Sequence, residues 1–128
     1  MKINIKINSE KEFIMSYLKM SNLLLPVTSR LVEVEMEVIA AFALLPPKFD
    51  YQRFSPLAKK KVIEGFAELN RKMTIFNLNN RIHALVKKGF LRRDEDRVIY
   101  LPKTLSIALE RFRKTKEFNL DITWQIKE

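Results

Sequence analysis

Residues 73–102 run Met-Thr-Ile-Phe-Asn-Leu-Asn-Asn-Arg-Ile-His-Ala-Leu-Val-Lys-Lys-Gly-Phe-Leu-Arg-Arg-Asp-Glu-Asp-Arg-Val-Ile-Tyr-Leu-Pro, and their reading decides the fold. Thr74 has the side chain of a helix N-cap. After it, Ile75, Leu78, Ile82, Leu85 and Val86 recur at helical spacing and make one apolar stripe. Gly89 supplies the stop. Residues 90–93 and 97–101 then read as two short strands around Asp94-Glu95-Asp96. Away from the stripe the helix carries Asn77, Asn80, Ala84 and Lys87, flanked by Phe76, Arg81 and Lys88. Asn, Arg and Lys in those places, rather than Glu and Asp, point toward a polyanionic partner.

The charge distribution agrees. Of the formal net +9, residues 1–54 contribute only +1, from 7 Lys/Arg against 6 Asp/Glu, and residues 55–128 contribute +8, from 17 against 9. Within residues 59–93 the count is 10 against 2, so the surplus gathers around the helix and the hairpin. A chain of 128 residues with 47% hydrophobic content is one domain's worth and enough for one core, so 1–128 is expected to fold as a single domain. With no cysteine, disulfides, zinc fingers and thiol catalysis are excluded. The longest apolar run, residues 38–47, is about half of what a membrane helix needs. The N-terminus lacks the basic-then-apolar order of a signal peptide. No membrane association is expected, and the expected location is cytoplasmic or nucleoid-associated, with the virion as the alternative.

Working outward, Ser55-Pro56 places an N-cap and a first-position proline at the start of a helix through Lys59, Lys60 and Lys61 to about Leu69. Three lysines in the first turns oppose the helix dipole, which favours anions there. Residues 31–38 alternate like a strand. Leu31, Val34, Val38, Phe42 and Leu45, however, fall on one side at helical spacing, which decides for a helix over 31–45 ended by Pro46-Pro47. Ser9 and Glu12 form a capping-box pattern, opening a helix to about residue 20 that buries Phe13, Ile14, Tyr17 and Leu18. A further helix over about 104–114 buries Leu105, Ala108, Leu109 and Phe112. At the two ends, Ile3, Ile5 and Ile7, and Phe118, Leu120, Ile122, Trp124 and Ile126, alternate with polar residues. These are half-buried strands, over 1–8 and 117–127, and are expected to pair in one small sheet.

A helix fits the major groove, where Asn pairs bidentately with adenine and Arg or Lys with guanine. Asn77, Asn80 and Arg81 are the residues expected at bases, with Ala84 permitting close approach or meeting a thymine methyl. Lys59, Lys60, Lys61, Lys87 and Lys88 are expected on phosphates, and Arg92, Arg93 or Arg97 on the hairpin are expected to reach the minor groove or backbone. Phe76 and the acidic hairpin tip point the other way, since an exposed aromatic more often marks a protein interface and a carboxylate triplet repels phosphate. Trp124 is a second residue expected in a protein contact or in the terminal sheet. His83, the one histidine, lacks the partners of a nucleophilic or acid–base site, and only Gly65 and Gly89 stand where a phosphate loop would need several glycines. No catalytic residue, metal ligand or cofactor is expected.

Residues 31–101 resemble the winged helix-turn-helix superfamily, particularly the layout of MarR-like regulators. An apolar first helix contains Glu35 and Val38-Ile39, then come Asn77-Leu78-Asn79-Asn80-Arg81-Ile82, Leu85-Val86-Lys87-Lys88-Gly89-Phe90-Leu91 and a hairpin. The turn Asn70-Arg71-Lys72-Met73 lacks the superfamily's usual glycine, although Asn70 tolerates the left-handed conformation. Terminal strands replace the dimerising helices of MarR-like regulators. The combination also looks like small winged-helix proteins of tailed bacteriophages. The resemblance implies an α+β winged-helix domain that is not an enzyme and binds double-stranded DNA, as a transcriptional regulator or other DNA-associated factor. Its alternative is a bacteriophage virion or assembly protein whose fold and terminal strands contact other subunits, in a homo-oligomer or a virion.

Overall fold

Helix α2, Glu33–Ala43, is the hub of the computed structural model, which describes residues 2–4, 9–49, 53–115 and 119–121. Seven of its eleven residues are buried, so it is apolar nearly all round and needs neighbours on several sides. Helix α1, Glu10–Leu23, packs on it, as do α3, Pro56–Glu68, and α4, Ile75–Lys87. Helices α3 and α4 also pack on each other. Helix α5, Lys103–Thr115, lies against α1, where the Phe13 and Phe112 rings stack with centroids 4.6 Å apart. The result is α+β, mostly helical. Among the described residues there are five α-helices and two two-stranded antiparallel sheets.

The local signals act as their chemistry requires. Ser9, Ser55 and Thr74 each accept a hydrogen bond from the backbone N–H three residues on, satisfying a donor that the helix leaves unpaired. The alternating stretch before Val38 is helical from Glu33 on, whereas Leu31 and Val32 precede the helix, Val32 as its N-cap. Helix α1 extends past the expected end near residue 20 to Leu23, after which Pro26 opens a single 3-10 turn at Val27–Ser29. Asn22 holds that connection closed: its amide donates to the Leu31 carbonyl and accepts from the Leu31 N–H, at 2.9 and 2.7 Å.

The termini do pair. Strand β1, Lys2–Asn4, runs antiparallel to β4, Asn119–Asp121, with Ile3 opposite Leu120. They are described over three residues each, and the remainder of each expected strand, Trp124 included, lies outside the described residues. In the hairpin, β2 is Arg92–Arg93 and β3 is Ile99–Tyr100.

Two chain reversals orient α4. Helix α3 ends with Asn70 in the left-handed region at φ 56°, and α4 ends with Gly89 there at φ 80°. In both, the next N–H reaches back five residues, Arg71 to the Phe66 carbonyl at 2.9 Å and Phe90 to the Leu85 carbonyl at 3.0 Å. This is the Schellman arrangement, and it satisfies the last carbonyls of each helix. Asn70 thus fills the role that a glycine would play. Arg71 also lies over the Phe66 ring, 5.3 Å from its centroid, and pairs with Glu37, locking the turn onto α2.

Candidate nucleic-acid interface

The buried side of α4 is narrower than the expected stripe. Leu78, Ile82 and Leu85 are buried and Val86 half-buried, but Ile75 is 50% exposed because the first residue of the helix projects beyond the core. Opposite that stripe, Phe76, Asn80, His83 and Lys87 follow one another at four, three and four residues and share one solvent-facing row. Asn77 is exposed and Ala84 half-exposed on one flank of the row. Arg81 is exposed but sits nearer the core side. His83, expected between core and polar face, stands in the exposed row; a stricter count of helical angles would have placed it there.

No acidic residue occurs between Glu68 and Asp94. Among the described residues, no carboxylate pairs with Lys59, Lys60, Arg81, Lys87, Arg92, Arg93 or Arg97. A cleft of about 570 Å³ between the start of α3 and the hairpin brings Lys59 together with Arg93 and Arg97. These cations come from residues far apart in the chain, and only the packing of the hairpin on α3 unites them.

Two expectations about lysines need correction. Lys88 is not available for phosphate. Its Nζ lies 2.5 Å from Oε1 of Glu35 and 3.0 Å from the Arg30 carbonyl. Glu35 is 1% exposed, and the same oxygen accepts from the Val32 N–H at 2.8 Å. A buried carboxylate demands a paired cation, so Lys88 is committed to the fold. The sequence signal for this was present but faint: Glu35 occupies the third position of α2, where a glutamate reaches back to the capping N–H. Lys59, Lys60 and Lys61 likewise do not form one patch. Successive residues on a helix are about 100° apart, so Lys59 turns to the hairpin cleft and Lys60 to solvent. Lys61 sits 3.7 Å from Glu64 and lines a separate groove beside Ala40 and Gly65.

The hairpin tip is built around Asp94. Its Oδ1 accepts from the Val98 N–H at 2.8 Å, and its Oδ2 from the Tyr100 hydroxyl at 3.0 Å. That hydrogen bond, aided by partial desolvation and by the negative charges of Asp94 and Asp96, raises the Tyr100 phenol above its ordinary pKa of 10.0. One of the three tip carboxylates is therefore structural, leaving Glu95 and Asp96 exposed. Arg97 closes the turn at φ 63°, a left-handed conformation that glycine usually supplies, and its side chain emerges into the basic cleft.

Among the described residues no group of three or more His, Cys, Asp or Glu side chains could hold a metal ion, and no helix is long and apolar enough to cross a membrane. No known protein family, curated protein or solved structure gives a significant match to the chain.

Proposed function

We propose that the chain is a non-enzymatic winged-helix protein that binds double-stranded DNA, with α2, α3 and α4 as the helical core, α4 as the recognition helix and residues 92–100 as the wing. The observation that carries this reading is the acid-free solvent face of α4, together with a cleft between α3 and the hairpin that gathers Lys59, Arg93 and Arg97 with no carboxylate partner among the described residues. Asn77 and Asn80 face base edges, Arg81 reaches them from the flank, and Ala84 lets the helix approach closely. Lys87, Lys59, Arg92, Arg93 and Arg97 meet phosphates. A role in transcriptional regulation follows as the ordinary use of such a module.

A second reading is that the chain is an assembly protein, of a virion or a homo-oligomer, working through protein contacts. It is favoured by the exposed Leu23, Leu24 and Val27 at the α1–α2 connection, where Leu24 is 89% exposed. The terminal strands pair with each other over three residues, which uses one edge of each and, among the described residues, leaves the other edge open to a neighbour.

Fluorescence anisotropy on mixed-sequence duplex DNA over a salt series tests the first reading. With about five phosphate contacts, log K should fall against log salt with a slope of about −4.5. The Asn80→Ala/Arg81→Ala/Lys87→Ala variant should bind at least tenfold more weakly. A folded protein that ignores duplex DNA at low salt rejects this reading in favour of the assembly role.

A further inference from the structure

Phe76 is the one apolar side chain in the solvent row of α4, and it is 72% exposed. Its ring stacks on no other ring among the described residues, while the helix is held to the core through Leu78, Ile82 and Leu85 on the opposite side. It lies one turn before Asn80, about 6 Å along the axis at 1.5 Å per residue. The N-terminal residues of a recognition helix are those set against base edges. A phenyl ring there can neither donate nor accept a hydrogen bond.

We infer, on the DNA-binding reading above, that Phe76 selects thymine by packing on its C5 methyl, about two base-pair steps from the base that faces Asn80. The chemistry of the major groove leaves this as the favourable partner. Guanine presents N7 and O6 acceptors, adenine an acceptor and a donor, and cytosine an amino donor; thymine alone adds an apolar group. Covering any of the other edges with a phenyl ring strips water from a polar atom without replacing its hydrogen bond. Thymine returns apolar burial on the ring's own face. Phe76 is thus a specificity residue by both attraction and exclusion.

The test uses two duplexes of identical alternating sequence, one of adenine and thymine and one with every thymine replaced by deoxyuracil, which removes only the methyl. Anisotropy should show the wild-type protein binding the thymine duplex about fourfold more tightly, the worth of burying one methyl. Phe76→Ala should lose most of that preference, any remainder being the methyl that Ala84 can meet, while keeping the wild-type circular dichroism, and Asn80→Ala should keep the preference. Equal wild-type affinity for both duplexes overturns the inference but leaves DNA binding standing. A preference undiminished in Phe76→Ala also overturns it. No binding to either duplex at low salt removes both the inference and the reading beneath it.

Discussion

The two ends of α4 are built on opposite plans. At the C-terminal end Lys88 is drawn into a buried pair with Glu35, Gly89 turns the chain in the left-handed region, and Phe90 and Leu91 return hydrogen bonds to the Leu85 carbonyl. At the N-terminal end the helix is fastened by the Thr74 cap and by Met73, half-buried against the core, while Ile75 and Phe76 stand in solvent. One end is bolted to α2 and sets where the helix points. The other end is displayed. Anchoring and display are thus separated along a single helix of 13 residues, and on the DNA-binding reading proposed above the displayed end is the one offered to the partner.

The sharpest way to break this comparison is to exchange neighbours. Lys88→Met should destabilise the protein by about 3 kcal/mol, because it leaves Glu35 charged, buried and held by one backbone N–H. Lys87→Met, one residue away but exposed, should cost under about 0.5 kcal/mol. Urea denaturation of the pair measures both; equal losses would mean that Lys88 is as free as Lys87. Next in size is Gly89→Ala. Space is not the obstacle, since nothing lies within 4 Å of the added Cβ, so its cost of about 1 kcal/mol would be that of the left-handed backbone alone. A loss near zero would show that the turn relaxes without consequence. Smallest is the displayed end, where Ile75→Ser and Phe76→Ser should each move the urea midpoint by less than the equivalent of about 0.5 kcal/mol. A loss above about 1.5 kcal/mol at either position would place it in the core and remove it from the interface.

The hairpin shows the same division on a smaller scale. Asp94 spends both carboxylate oxygens on holding the turn, whereas Arg93 and Arg97 turn outward to share a cleft with Lys59. Arg97 does so from a backbone conformation that disfavours any residue with a Cβ. A strained position that keeps a long cation in place of glycine fits a functional use of that side chain.

The features that short-range chemistry controls were readable from the chain itself. Caps at Ser9, Ser55 and Thr74, stops at Asn70 and Gly89, the hairpin around Asp94 and the pairing of the two terminal strands all rest on residue types within a few positions or on strict alternation. The helical reading of 31–45 holds over 33–43 despite its strand-like opening, because Val38 and Phe42 fall on one buried side at helical spacing; residues 31–32 and 44–45 lie outside the helix. The terminal pairing was inferable because two stretches of strict alternation in one small chain have few other partners. What the sequence left undecided was which charged groups are free. Lys87 and Lys88 are identical in type and adjacent, yet one faces solvent and the other neutralises a carboxylate contributed from 53 positions away. The lysine triplet looks like a patch in one dimension and splays around α3 in three, and Lys59 finds Arg93 and Arg97 only because the hairpin folds back on that helix. Local backbone preference is a property of a few neighbouring residues and can be read along the chain. The fate of a charge depends on what the rest of the molecule brings within a few ångströms, and that only the tertiary structure decides.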